Sequence, residues 1–471
     1  MMTMNRIFLF CSVIFGLAGS VSAGLPVATT DETGHLRRET STREVPADEE
    51  GMVAFFKQAI AGKDTVYDGG SFIPVSEVAQ VRKQVWEAWC RANKEVREPK
   101  LIGLEPLEQE RIGKWCLPRQ LEPYADLMYY WGTKGEKPEN GFPMFVYLHG
   151  SGHKNDEWAT GLALCRMFDD APSAYFIPQI PNMGEYYRWW QKSKQFAWKQ
   201  LLRQAFVTGQ IDANKVYFFG ISEGGYGSQR MASFYADYLA AAGPMAGGEP
   251  LKNAPAENCR NIGFSLLTGS KDAGFYRNQL TEYVRQEFDS LQQTDPEGYA
   301  HRVELIPGMG HCIDYRPTTP WLKQFTRQPH PKKVVWEQYD MDGWYRDGFN
   351  NLYVVERTDT VPGSRTRYVM EIRDNRIDMT VDDVTYTTVE RDPHWGIELK
   401  FTKQYQPAKR GKFIIYLNEN LVDLSKKITV RVNGRKVFSG KLKCSVENMV
   451  NSCAAYYDPE RLYPAAVEVE L

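Results

Sequence analysis

The stretch VYFFGISEGGYGSQRMA, residues 216–232, constrains this chain more than any other. An unbroken apolar run has no polar face to offer water. It therefore reads as a strand buried on both sides, the kind found in parallel sheets covered by helices. The run ends in Gly220-Ile221-Ser222-Glu223-Gly224, and small residues follow as a helix packed close to the sheet. A serine held between glycines at a strand-to-helix junction is the sequence form of a strained turn that exposes a nucleophile. The pentapeptide alone is weak, because composition alone produces it about a few tenths of a time in a chain this long. Its context decides.

That context is an alternation of elements. MFVYL runs into the glycine turn HGSG, SAYFIPQI (173–180) is a strand, and SKQFAWKQLLRQAFV (193–207) is a helix with Phe196, Leu201 and Ala205 on its apolar side. NIGFSLLTG (261–269) and HRVELIP (301–307) are strands around the helix GFYRNQLTEYVRQEFDSLQQ (274–293), and YADLMYYW (124–131) is an earlier strand. Strands alternating with helices predict an α/β domain, a doubly wound and mostly parallel sheet covered on both faces. Upstream, SEVAQVRKQVWEAWCRANKEVR (76–97) has helical spacing behind Ser76 as its cap. Past about Pro331 the texture becomes short alternating segments, with Asn433-Gly434 as a hairpin signal, and predicts a small all-β, sandwich-like domain.

The N-terminus sets the compartment. Arg6 precedes the apolar run IFLFCSVIFGLAG, and Val21-Ser22-Ala23 is a small-x-small cleavage site. The run is short for a membrane span, and no later segment is long enough. The organisation expected is a signal peptide over 1–23, a polar disordered tail over 24–50, a catalytic domain with an N-terminal extension over 51–328, and a β-rich domain over 332–471. The mature protein is then secreted or periplasmic after cleavage near Ala23. Cys444 and Cys453 are close enough in sequence to close a small loop, and Cys90 with Cys116 and Cys259 with Cys312 are further pairings to test. No C-x-x-C spacing suggests a metal, and no cofactor is expected. A net charge of −2 gives no basic field for nucleic acid.

A nucleophile turn needs an oxyanion hole, a base and an acid. One N–H donor is the residue after the nucleophile, Glu223, through its backbone. The second comes from the turn in YLHGSG, with Ser151 first and Gly150 next. Of the seven histidines, His311 follows the strand VELIP in the glycine loop GMGHCID, where the base should fall. Asp272 lies past the end of FSLLTG, at the sheet edge where catalytic groups collect. Asp272 could instead be a helix cap, with Asp314 or Glu304 as the acid.

LHGSG, IDANKVYFFGISEGG, LLTGSKDAGF and PGMGHC together resemble the alpha/beta-hydrolases that include secreted polyhydroxybutyrate depolymerases and feruloyl or acetylxylan esterases. The resemblance covers roughly residues 140–325. It implies a serine esterase in which Ser222, His311 and Asp272 form the triad, with the oxyanion turn at His149–Gly152. The family also holds pectin methylesterase-like carbohydrate esterases. PNMGEYYRWWQ (181–191) departs from the depolymerase pattern and should overhang the same sheet edge. There Tyr187, Trp189 and Trp190 could stack on sugar rings and Arg188 could pair with a uronate carboxylate; the tryptophans could equally pack the next helix. The expected substrate is an ester on a plant cell-wall-type polysaccharide: a pectin methyl ester, or an acetyl or feruloyl ester. A prolyl-oligopeptidase-like peptidase, a polyester depolymerase and a non-catalytic binding protein are the alternatives.

Overall fold

A computed structural model describes residues 48–471 apart from residue 70. The expected signal peptide and most of the expected tail fall outside the described residues.

The central sheet has eight strands: β1 (Ile112–Cys116), β2 (Asp126–Lys134), β3 (Phe142–Leu148), β4 (Ser173–Pro178), β5 (Ile211–Ile221), β6 (Ala241–Met245), β7 (Gly263–Gly269) and β8 (His301–Ile306). Their order is β1-β2-β4-β3-β5-β6-β7-β8. β1 and β2 run antiparallel at one edge, and from β4 to β8 all pairings are parallel. This is the alpha/beta-hydrolase fold. Every residue of β3 is buried, as the unbroken apolar run requires. Met144, Val146 and Leu148 join the apolar cluster on one face, Phe145 and Tyr147 the cluster on the other. Helices α1 (Glu49–Ile60) and α2 (Val78–Glu95) precede the sheet, and α3 (Lys154–Met167), α4 (Lys192–Val207), α5 (Glu223–Phe234) and α6 (Arg277–Thr294) follow β3, β4, β5 and β7 in the chain.

The β-rich segment forms two sheets. Lys333–Gln338, Arg365–Arg373, Arg376–Arg391, Ile428–Val432 and Arg435–Gly440 lie in that order, with Glu398–Pro407 also paired to Arg376–Arg391. Leu352–Glu356, Lys412–Leu417 and Ala465–Glu470 build the smaller sheet with Gly348–Phe349. Trp336 and Tyr368 of the larger sheet meet Phe349 and Phe413 of the smaller, so the layers share a core. Asn433 and Gly434 both have positive φ, 48° and 80°, as the hairpin turn between Val432 and Arg435 demands. One helix, Val446–Tyr456, interrupts the strands.

Three local expectations differ from the structure. Ser76 lies in a short 3₁₀ turn ahead of the helix Val78–Glu95 and does not cap it. Phe196 faces outward, 38% exposed, and meets Trp344 from the β-rich segment, while Ala197, Trp198, Leu201, Leu202 and Ala205 form the buried side. Cys90, Cys116, Cys165, Cys259, Cys312, Cys444 and Cys453 are all free thiols. Cys453 is buried in a helix that packs on Glu49–Ile60 and Val78–Glu95, and Cys444 sits in a short strand paired with Phe72–Ile73. Their nearness in sequence does not translate into facing sulfurs.

The α/β and β-rich segments are joined through buried charge. Arg461 donates to Asp237 (2.6 Å) and Asp458 (2.8 Å), Arg327 donates to Asp458 (2.5 Å), and Arg346 pairs with Asp237. Arg461 and Asp458 are fully buried. Each charge is compensated by its neighbours, which is the condition for burying it at all.

Candidate active site

Leu148 pairs with Gly220 and Ile221 with Met245, so the turns after β3, β5 and β6 emerge at one edge of the sheet. The loops after β7 and β8 emerge there too, because Gly269 pairs with Ile306. The edge thus gathers Gly150 and Ser151, Ser222 and Glu223, Asp272 and His311.

Ser222 stands at the N-terminus of α5 with φ 56° and ψ −112°, a strained conformation for a residue with a side chain. The glycines around it have a steric reason. A Cβ on Gly224 would come within 1.8 Å of the Leu148 carbonyl oxygen, and one on Gly220 within 2.5 Å of the Gly224 oxygen. The close approach of α5 to β3 requires both glycines.

Ser222 Oγ lies 3.0 Å from His311 Nε2, and His311 Nδ1 lies 2.7 Å from Asp272 Oδ2. Asp272 is 4% exposed. Arg277 grips the same carboxylate, with Nε 2.9 Å from Oδ2 and Nη2 2.7 Å from Oδ1. Burial would raise the Asp272 carboxyl, but hydrogen bonds from Arg277 and His311 outweigh it and hold the group below the usual carboxylate range. Asp272 is therefore ionised and oriented. The reserve acid Asp314 is instead paired with Arg316 at 2.9 Å on the surface. Sequence reading did not single out Arg277; its spacing of five from Asp272 gives no signal, because a short 3₁₀ turn intervenes.

The turn after β3 is pinned from its packed side. His149 is wholly buried, and burial pushes its imidazole down to about 4. The neutral ring accepts from the Ile180 N–H at Nε2 (3.1 Å), so the proton resides on Nδ1, which lies 2.8 Å from the Gly150 carbonyl oxygen. Tyr187 donates its hydroxyl to the same carbonyl at 2.6 Å, and Trp189 Nε1 donates to the His149 carbonyl at 3.0 Å. A trans peptide directs the Ser151 N–H opposite to that engaged Gly150 carbonyl, away from the packed side. Glu223 is the first residue of α5, so its N–H has no partner within the helix.

Two of the expected substrate contacts are corrected here. Tyr187 is 3% exposed and Trp189 is 0% exposed; neither offers a ring face to a ligand. They are the supports of the turn instead. Their hydrogen-bond partners lie about forty positions earlier in the chain, so aromatic composition alone could not distinguish support from contact. Tyr187→Phe is expected to lower kcat by about tenfold, less than the 10²–10³ of losing an oxyanion donor outright, with KM little changed. Steady-state kinetics on a soluble ester would show it.

Trp190 is half-buried beneath the Arg230 guanidinium, 3.9 Å from the ring centroid, and Arg230 is held by Glu249 at 2.9 Å. Arg188 keeps 44% of its side chain exposed and lies 3.4 Å from Glu223 Oε2. The Glu223 side chain is 7% exposed, and its Oε1 has no hydrogen-bond partner among the described residues. Burial raises its carboxyl to about 7, against the pull of Arg188. A raised folded-state value contributes stability below the unfolded value near 4.3, and that contribution is lost as pH climbs through about 7. Glu223→Gln keeps the backbone donor and removes this dependence. Relative to wild type it should gain about 1–3 kcal/mol of stability between pH 4 and pH 8, read from denaturation midpoints at both pH values.

No family model and no curated relative matches the chain. Among solved structures, it is similar to a thermostable esterase at 20% identity and a TM-score of 0.37, over 46% of this chain and 64% of that one. It is similar to a ferulic acid esterase from Anaeromyces mucronatus at 13% identity and a TM-score of 0.34, over 50% and 95% of the two chains. Esterase 2 of Thermogutta terrifontis gives 14% identity and a TM-score of 0.34, over 43% and 85%. The chain thus spans just under two thirds of the first of these proteins. The strand order itself establishes the alpha/beta-hydrolase fold, with a β-rich segment following it in the same chain.

Proposed function

We propose that this protein is a serine esterase that hydrolyses carboxylic esters on a plant-type polysaccharide. The observation that carries the reading is the hydrogen-bonded line Ser222 Oγ–His311–Asp272 at the end of the sheet. In this mechanism His311 Nε2 takes the Ser222 proton as Oγ attacks the ester carbonyl. The backbone N–H groups of Glu223 and Ser151 receive the developing oxyanion. His311 returns the proton to the leaving alcohol, and water then repeats the sequence on the acyl-enzyme. Asp272 holds the imidazole in the required tautomer and stabilises its charged form.

The motifs resembling secreted depolymerases and carbohydrate esterases support a polysaccharide ester over a soluble metabolite. Arg188, half-exposed beside the residue that follows Ser222, would suit a uronate next to a methyl ester. The test is release of methanol, acetate and ferulate from methyl-esterified pectin and from acetylated or feruloylated xylan. Methanol alone identifies a pectin-type methylesterase, and acetate or ferulate a deacylating esterase. No product from any polysaccharide, with an aryl acetate still cleaved, would overturn the substrate class and leave the esterase chemistry.

A further inference from the structure

The loop that carries Asp272 does not end the site. Three residues on, Phe275 and Tyr276 both adopt left-handed backbone, φ 52° and 59°, although neither is glycine. Consecutive strain of this kind persists only where the surroundings enforce it, and it concentrates at functional sites. The β-rich segment makes contact with this loop. Tyr276 donates its hydroxyl to Asp392 Oδ1 at 2.8 Å. Asp392 opens a closed turn between Arg376–Arg391 and Glu398–Pro407, in which its N–H donates to the Ile397 carbonyl (2.8 Å) and its carboxylate accepts from the Trp395 N–H.

The result is a pair of aromatic rings on the surface. Phe275 is 45% and Trp395 58% exposed, and their rings meet at 4.8 Å between centroids. His394 lies edge-on to Trp395 at 4.4 Å. The other face of the assembly leads to the triad: the Arg277 guanidinium stands 5.5 Å from the Phe275 centroid and holds Asp272. Two large rings exposed side by side are a contiguous apolar patch, and such patches mark surfaces that ligands cover.

We infer that Trp395, supported by Phe275, is a stacking platform for a pyranose ring of the polymer, so that the β-rich segment supplies one wall of the substrate cleft. This rests on the esterase reading above. The apolar C–H face of a pyranose matches a flat, exposed indole, and the ring N–H and His394 can meet its hydroxyls. The platform reaches the triad through Phe275 and Arg277, so it suits a sugar along the chain better than the acyl group held at Ser222.

The experiment compares wild type, Trp395→Ala and Trp395→Phe on esterified polysaccharide and on a small aryl acetate. Trp395 is exposed, so its substitution should leave the melting temperature unchanged. Trp395→Ala is expected to raise KM for the polymer by about tenfold or more, at least five times more than it affects the aryl acetate, with Phe restoring most of the loss. In parallel, Ser222→Ala protein should be retarded in a native gel containing that polysaccharide, and the Ser222→Ala, Trp395→Ala double variant should not. Polymer KM within twofold of wild type, or unaltered retardation, overturns the platform. Equal losses on both substrates would make Trp395 a brace of the acid loop. A loss confined to feruloyl esters would put the aromatic acyl group there instead. The gel arm needs no turnover, so it judges the platform even if the esterase reading fails.

Discussion

Replacing Ser222 with alanine is expected to lower kcat by about 10⁴-fold or more while the fold is retained. In triad hydrolases the nucleophile and its base act as one unit, so loss of either removes nearly all the covalent route and leaves only what oxyanion donors and binding supply. Removing Oγ empties no packed space, because the hydroxyl contacts His311 at the exposed end of the sheet. It leaves the turn's own hydrogen bond, Ser222 N–H to the Met245 carbonyl at 3.0 Å, in place. The measurement is product release beside a thermal melt. Full activity with an intact melt would remove Ser222 from the mechanism, and collapse of the melt would show that the hydroxyl serves the fold.

Arg461→Ala is expected to be the most damaging change outside the site, costing about 3–5 kcal/mol of stability. The guanidinium is fully buried between Asp237 and Asp458 and lies over the rings of Tyr238 and Tyr456, 4.0 and 4.7 Å from their centroids. Truncation would leave two buried carboxylates short of a counter-charge. The pH dependence adds a second signature. Burial would raise the Asp458 carboxyl, but Arg327 and Arg461 hold it down at about 2. A depressed folded-state value contributes stability above the unfolded value near 3.9, lost as pH falls toward 2. Without Arg461 the carboxyl rises and can protonate in the folded state, so the deficit of the variant should shrink below about pH 4. Urea midpoints at pH 7 and pH 3.5 test this. A loss under about 1 kcal/mol at pH 7, typical of a surface pair, would mean the network is not the joint between the segments.

The resemblance and the residues around Ser222 made much of the candidate site legible from sequence. The motif GISEGG encodes a sharp strand-to-helix turn, and glycine at 220 is a local steric requirement, seen directly in the 2.5 Å approach its Cβ would make to the Gly224 oxygen. His311 and Asp272 were legible because each follows a strand, and parallel strands deliver their C-terminal ends to one edge. The aromatic insertion was not legible. Tyr187 and Trp189 read as ligand contacts because composition reports an aromatic but not the direction of its ring; both are buried in the apolar core and hydrogen-bond to the carbonyls of Gly150 and His149.

Sequence by itself determined the local grammar of this protein: buried strands, strained turns and the Asn433-Gly434 hairpin. Each depends on backbone sterics and hydrogen bonds between near neighbours, which the residue types carry with them. Only the tertiary structure decided which side chains meet across the chain. Asp392 reaches Tyr276 over 116 positions, Arg461 reaches Asp237 over 224, and Cys444 and Cys453, nine apart, stay unjoined. Such pairings are selected by the burial of a shared core and the compensation of charges within it, and that free energy belongs to the folded whole rather than to any segment.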